Sequence, residues 1–116
     1  MNMIRFNIHN SREGILTVNK THLTCISDQV ISNGDVLLHP QYTRISGDGV
    51  STFVVDEIDE ERPSRGDWEK PPPSTFRRIK FKKEIIPSKV MKEAGYLHTE
   101  TVMEKGKTIE KIFLKL

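Results

Sequence analysis

The sequence predicts a mainly β fold: a β-rich α+β domain with one short helix. Several short runs alternate apolar with polar side chains, which is the pattern of strands that bury one face. Through residues 1–55, turn signals recur every 8–12 residues, a spacing typical of small antiparallel barrels and sandwiches. Apolar residues reach helical spacing only near residues 88–94. We therefore expect a small antiparallel barrel or sandwich, followed by a C-terminal β-α-β-β unit that contains the helix.

The first predicted strands are short and are joined by tight turns. Strand-like runs occupy residues 3–8, 15–18 and 21–26. The last two are separated by Asn19-Lys20 alone, so we expect them to form a hairpin. Asn33-Gly34 is a stronger turn signal, and it predicts a second hairpin between the runs QVI and DVLLH.

A third hairpin is predicted around Gly47-Asp48-Gly49. Glycine on either side of an aspartate supplies the positive φ angles that a tight turn needs. The flanking runs are QYTRIS at 41–46 and VSTFVV at 50–55. Their expected core anchors are Tyr42, Ile45, Val50, Phe53 and Val55.

Residues 56–75 interrupt the strand pattern. They contain seven acidic residues, four prolines and one glycine, with Ile58 and Trp68 as the large apolar side chains. The run Pro71-Pro72-Pro73 favours extended polyproline II. We expect an exposed loop without ladder hydrogen bonds. Trp68 is interpreted either as an interface anchor or as a cover for a thin core.

The C-terminal part predicts a strand, a helix and a hairpin in that order. The strand at 76–85 separates its apolar side chains from its cations. Ile79 and Phe81 share one face, and the other carries Arg78, Lys80 and Lys82, with Arg77 and Lys83 nearby. A helix of about two turns then ends at Gly95. A hairpin that turns at Gly106 joins residues 96–103 to residues 108–116.

The formal net charge of +2 hides an uneven distribution. Residues 1–55 carry equal numbers of acidic and basic residues, residues 56–70 carry seven acidic and three basic, and residues 71–116 carry eleven basic and five acidic. A chain of 116 residues fits a single small domain. Within it we expect a β half at 1–55, an acidic, proline-rich loop at 56–75 and a basic β-α-β-β half at 76–116.

Several classes of protein are disfavoured by the sequence. No apolar run approaches the roughly 18 residues of a membrane-spanning helix, and the N-terminus lacks the apolar core of a signal peptide. Cys25 is the single cysteine, which excludes an internal disulfide and favours a reducing, cytoplasmic setting. No metal, nucleotide or nucleophile motif is present. We therefore expect a protein that is not an enzyme, with no cofactor, no metal and Cys25 in the core.

The basic strand carries the first functional hypothesis. Cations interleaved with aromatic residues can meet a phosphate backbone and stack on bases. This hypothesis describes a small regulatory or accessory binding protein that contacts nucleic acid or an acidic partner. The contact residues would be Arg77, Arg78, Lys80, Lys82 and Lys83. The competing interpretation is that these cations only protect an edge strand from self-pairing.

The acidic segment carries the alternative hypothesis: a protein–protein interaction module, acting as an inhibitor, adaptor or assembly subunit. Its contact residues would be Trp68, Asp56, Glu57, Asp59, Glu60 and Glu61. A small chain without catalytic motifs also suits a phage-encoded accessory protein in the host cytoplasm. The last strand, which ends in Leu114 and Leu116, needs partners, either strands from 1–55 or another subunit, so homo-oligomerisation is a further expectation. The charges also allow residues 56–61 to neutralise residues 77–83 within the fold.

Overall fold

The computed structural model of this chain describes residues 2–6, 13–64 and 74–116. Its elements are β1 (Met3–Arg5), β2 (Gly14–Val18), β3 (His22–Ser27), β4 (Val36–Leu38), β5 (Arg44–Ser46), β6 (Gly49–Pro63), β7 (Thr75–Pro87), α1 (Ser88–Glu93), β8 (Leu97–Glu104) and β9 (Lys107–Leu114). The predicted class, mainly β with one short helix, is confirmed for this part of the chain.

Seven of the strands form one mixed sheet. Its order is β1-β4-β6-β7-β3-β2, and β5 pairs with β6 beside this path. The β1–β4 pair is parallel, whereas the other pairs are antiparallel. The expectation of an antiparallel barrel is therefore wrong in this respect, and the described strands do not close into a barrel.

The first hydrophobic core lies on one face of this sheet. Ile4 on β1 and Ile15 on β2 pack against the same buried cluster, although their strands lie at opposite edges of the sheet. The sheet must therefore curl around the cluster. The fully or nearly fully buried members are Ile4, Phe6, Leu23, Cys25, Ile31, Leu37, Phe53, Val55, Ile79 and Phe81.

A second core covers part of the opposite face. Val36 and Leu38 alternate with Leu37 along β4, so this strand is buried on both faces. The six-residue helix α1 inserts Met91 here, next to Val50, Ile86 and Leu97. The helix ends just before Gly95, as the sequence predicted. Gly95 has φ +87°, a conformation that glycine adopts without a steric penalty.

The acidic segment is where the fold departs most from the sequence prediction. Residues 56–63 continue β6 and pair with β7; the expectation of a loop without ladder bonds is wrong for them. Pairing offsets the weak β propensity of DEIDEERP, because opposite charges across neighbouring strands attract each other. Two bulges, at Val55/Glu57 and Ile58/Glu60, accommodate the irregular pattern. Residues 65–73, which include Trp68 and the three consecutive prolines, lie outside the described residues.

The predicted hairpins have different outcomes. The hairpins β2–β3 and β5–β6 form as expected. Asn33-Gly34 does form a turn, with Gly34 at φ +87°, but the run QVI at 29–31 is not a strand, and β4 pairs with β1 and β6 instead. Gly34 donates its N–H to the Val55 carbonyl, so this turn is attached to β6. Two expected anchors are surface residues: Tyr42 is 38 % exposed and Ile45 is 41 % exposed.

The C-terminal hairpin β8–β9 forms a separate two-stranded sheet, as its turn signal predicted. Its turn consists of Lys105 at φ +49° and Gly106 at φ +75°, the signs of a type I′ turn. It contacts the rest of the molecule at its base, where Leu97 and Leu114 pack against the second core. The molecule is correspondingly elongated, with extents of 57 × 30 × 24 Å.

Candidate functional site

The predicted acidic and basic residues lie on neighbouring strands. We call residues 56–61 of β6 and 77–83 of β7, which lie side by side along this part of the sheet, the charged ribbon. All five predicted carboxylates and all five predicted cations belong to it. The fold therefore brings the two candidate surfaces into one, and each charge must be assessed with its neighbours.

Arg77 differs from the other four cations because it points into the sheet. Its side chain is 7 % exposed, and its Nε donates a 2.7 Å hydrogen bond to Oε2 of Glu61. It follows the period of Ile79 and Phe81, which also face the first core. Arg77 is therefore a buried partner of Glu61, in a position where an external anion has little access to it.

Asp56 lies between two of the exposed cations. Its carboxylate oxygens are 4.0 Å from Nζ of Lys80 and 3.8 Å from Nζ of Lys82. Glu57 is the cross-strand neighbour of Lys80. These are solvent-exposed pairs, and each contributes little to stability. Their main effect is on the local potential, which the carboxylates make less positive.

The other charges of the ribbon include both paired and unpaired side chains. Glu60 lies opposite Arg78, but its Oε1 accepts a 2.8 Å hydrogen bond from Nε of Arg62. The Arg62 guanidinium also lies 4.2 Å from the ring centre of Phe76, a cation–π contact. Among the described residues, Arg78 and Lys83 have no ion pair within 4.0 Å, and they lie on opposite faces of β7.

The fifth carboxylate, Asp59, takes part in a contact that sequence reasoning missed. Its Oδ2 accepts a 2.7 Å hydrogen bond from Nε2 of His22. In the neutral tautomer that fits this bond, Nδ1 of His22 accepts from the Thr21 hydroxyl at 2.7 Å. The residues are 37 positions apart, so no local motif signals the pair.

This hydroxyl–imidazole–carboxylate chain has the order of groups that activates nucleophiles. Its surroundings favour a structural role. Oδ1 of Asn19 accepts hydrogen bonds from the backbone N–H groups of Thr21 and His22 at 2.9 and 2.7 Å, so both belong to the β2–β3 turn. We interpret the His22–Asp59 bond as the attachment of this turn to β6.

The hairpin β8–β9 presents a second surface, with two different faces. One face carries Leu97, Thr99, Thr101 and Met103 opposite Leu114, Ile112, Glu110 and Thr108. Seven of these eight side chains are uncharged and the eighth is Glu110, so we call this surface the uncharged face. It continues outward from the second core through Leu97 and Leu114. Beyond these two, Met103 and Ile112 stay 71 % and 49 % exposed.

The opposite face of the hairpin mixes charged side chains with the apolar Val102, Ile109 and Phe113. Lys111 donates a hydrogen bond to Glu104, and His98 stacks on Phe113 with ring centres 5.5 Å apart. Nε2 of His98 lies 3.2 Å from Oε1 of Glu100. Its Nδ1 is the one buried side-chain atom without a hydrogen-bond partner in the described part of the chain.

Two groups that could support chemistry, Cys25 and His39, are buried, and Cys25 is the cross-strand neighbour of Arg77 in the charged ribbon. Burial raises the pKa of Cys25 to about 12, against a smaller lowering effect of Arg77, so its thiol stays protonated. Burial lowers the pKa of His39, whose Nδ1 accepts from the Gln41 N–H. Within the described ranges, no three His, Cys, Asp or Glu side chains are grouped so that they could hold a metal ion.

The helix α1 has six residues, and no helix in the described part of the chain is long and apolar enough to cross a membrane. In comparisons with known proteins, no family model, no curated protein and no solved structure matches this chain.

Proposed function

We propose that this chain is a protein–protein interaction module whose binding element is the β8–β9 hairpin. The observation that carries the proposal is the uncharged face, on which Met103 and Ile112 are exposed next to threonines. An isolated two-stranded hairpin is at best marginally stable in water. A partner that covers this face would bury apolar surface in continuity with the second core.

The chemistry of the face defines the partner. Apolar and hydroxyl side chains favour a protein surface that is itself uncharged, and they offer nothing that would recognise phosphate. This proposal keeps the interaction-module hypothesis but moves its contact surface. Four of the five carboxylates that first suggested it contact cations or a histidine of the same sheet.

The nucleic-acid hypothesis has less support from the same geometry. Arg77 is buried against Glu61, and Asp56 lies within 4.0 Å of both Lys80 and Lys82. A phosphate backbone that approached the ribbon would meet these carboxylates too. Nucleic-acid affinity depends on cations that neutralise phosphates, and of the five ribbon cations only Arg78 and Lys83 have no ion pair within 4.0 Å among the described residues.

Two matched variants distinguish the hypotheses. The double variant Met103→Glu/Ile112→Glu places charges on the uncharged face, and Lys80→Glu/Lys82→Glu reverses the ribbon. Both change exposed positions, so we expect both to fold, which circular dichroism checks. We expect a partner that copurifies stoichiometrically from the native host to be lost with the hairpin variant and kept with the ribbon variant.

The opposite result would overturn the proposal. Loss of binding with the ribbon variant alone, or a copurifying component that nuclease removes, would favour the polyanion hypothesis. Retention of the partner by the hairpin variant would exclude the uncharged face as the contact surface.

A further inference from the structure

The outer edge of β8 has no partner among the strands that the structure describes. β8 pairs with β9 on one side, and no other described strand lies along its second side. It is eight residues long, contains no proline and shows no register shift. Such an edge is a template for pairing with another strand.

The backbone groups that this edge offers follow from the turn. A two-residue type I′ turn at Lys105-Gly106 makes Glu104 and Lys107 a hydrogen-bonded pair. Hydrogen-bonded and non-hydrogen-bonded pairs alternate along the hairpin, so the backbone N–H and C=O groups of the even-numbered residues of β8 point toward β9. The hydrogen bond from the Lys115 N–H to the Tyr96 carbonyl agrees with this pattern. The backbone N–H and C=O groups of Thr99, Thr101 and Met103 therefore point outward.

We propose that the partner at this edge is the β8 strand of a second copy, paired antiparallel about Thr101. This inference rests on the proposed function, because it makes the same hairpin the contact element and names its partner. A two-fold axis normal to the sheet generates antiparallel neighbours, and paired residues then lie on the same face. The axis passes between the two Thr101 residues, and Thr99 lies opposite Met103 of the other copy.

Charge selects this register over its neighbours. Centring the axis on Glu100 would place this carboxylate opposite itself, and centring it on Val102 would place Glu100 opposite Glu104. Both arrangements are repulsive. With the axis at Thr101, Glu100 lies opposite Val102 and His98 lies opposite Glu104. The pairing thus brings a second carboxylate, Glu104, beside His98, whose Nδ1 has no described partner; Glu104 also accepts a hydrogen bond from Lys111 of its own hairpin.

The edge of β9 is less suitable for self-pairing. Its two seven-residue registers are centred on Glu110 and Lys111, and each places a charged residue opposite its own copy. Of the two hairpin edges, only that of β8 therefore offers a seven-residue register without like charges in direct opposition. About six backbone hydrogen bonds would form along it, and the two uncharged faces would join into one.

Cysteine cross-linking tests this register directly. In the pair at the axis, the Cα atoms of Thr101 would be about 5.5 Å apart, which a disulfide can span. Native Cys25 is buried and protonated, so Thr101→Cys supplies the single reactive thiol. The matched control is Glu110→Cys, because Glu110 lies opposite Thr101 on the same face of the hairpin but on β9.

We expect Thr101→Cys to form a covalent dimer under mild oxidation and Glu110→Cys to remain monomeric, as scored on non-reducing gels. Sedimentation of the unmodified protein should show a concentration-dependent dimer. Faster cross-linking of Glu110→Cys, or a monomer at every concentration, would overturn the proposal. The proposed function could still hold in those cases, because the copurification experiment detects a different protein partner independently.

Charge reversal supplies a second test that does not depend on cysteine. His98→Glu should weaken the dimer roughly tenfold, because each of the two symmetry-related pairs then holds two carboxylates in direct opposition. The double variant His98→Glu/Glu104→Lys should restore dimerisation. Single and double variants of equal dimer affinity would exclude this register.

Discussion

The guanidinium of Arg77 lies inside the sheet, and its Nε donates a 2.7 Å hydrogen bond to Oε2 of Glu61 on the neighbouring strand. The two side chains differ in environment, since that of Arg77 is 7 % exposed and that of Glu61 is 53 % exposed. Water therefore solvates the carboxylate, but it reaches little of the cation. Nη1 of Arg77 also donates a long, 3.5 Å hydrogen bond to the Ser27 carbonyl, so Glu61 is its shorter contact and its one carboxylate partner among the described residues.

Replacing Glu61 by alanine should therefore destabilise the protein. The change leaves a buried guanidinium without its carboxylate, and we expect the free energy of unfolding to fall by about 1–3 kcal/mol. Urea denaturation measures it. Glu57→Ala, on the same strand but with no ion pair among the described residues, should change it by less than about 0.5 kcal/mol. Equal losses for both variants would contradict the assigned role of Glu61.

Cys25 provides a pH-dependent prediction. Burial raises its pKa from 9.0 to about 12, so the unfolded state loses this proton at a lower pH than the folded state. Stability should consequently decrease as the pH rises through this range, with a slope of up to about 1.4 kcal/mol per pH unit from this group. The urea midpoint measured between these pH values should fall more steeply for the native protein than for Cys25→Val.

The same burial governs the reactivity of the thiol. We expect a disulfide reagent to label Cys25 only when the protein unfolds, because the folded state holds the thiol both inaccessible and protonated. Labelling rates should follow the unfolding equilibrium as urea is added. Rapid labelling in the absence of urea would show that this part of the first core opens easily.

Local signals in the sequence were enough to predict several parts of the fold. The β2–β3, β5–β6 and β8–β9 hairpins each depend on residues next to their own turn, and α1 ends before Gly95, as expected. The parallel β1–β4 pair could not be predicted in this way, because it joins segments that are far apart in the chain. Nor could the β6 extension, whose strand character depends on its pairing with β7.

In the candidate site, too, local features could be predicted from the sequence and long-range contacts could not. The sequence identified the charges of the ribbon and raised the alternative that they neutralise each other, but their partners are long-range. His22 and Asp59 meet across 37 positions, and Arg77 and Glu61 across 16. One local signal could have shown this cation to be buried. The spacing of two residues places Arg77 on the same face of the strand as Ile79 and Phe81.

His39 should make the protein sensitive to acid. It is 3 % exposed, and burial lowers its pKa below the usual 6.5, so the unfolded state binds this proton at a higher pH than the folded state. Stability should therefore decrease as the pH falls below about 6.5. Protonation would also remove the lone pair with which Nδ1 accepts from the Gln41 N–H. Unfolding curves at neutral and mildly acidic pH should differ less for His39→Gln than for the native protein.

Gly49 and Gly14 should respond in opposite ways to the same substitution. A Cβ on Gly49 would lie 2.4 Å from Cγ2 of Ile85 and 2.5 Å from the carbonyl oxygen of Ile86, and the latter is backbone that β6–β7 pairing holds in place. Gly49→Ala should therefore cost about 1–3 kcal/mol of unfolding free energy. At Gly14 nothing lies within 4 Å and φ is not in the left-handed region, so Gly14→Ala should be neutral or stabilising by up to about 1 kcal/mol. Thermal and urea unfolding of the two variants measure the contrast. A tolerated Gly49→Ala would show that the β5–β6 turn and β7 are packed less closely than the structure indicates.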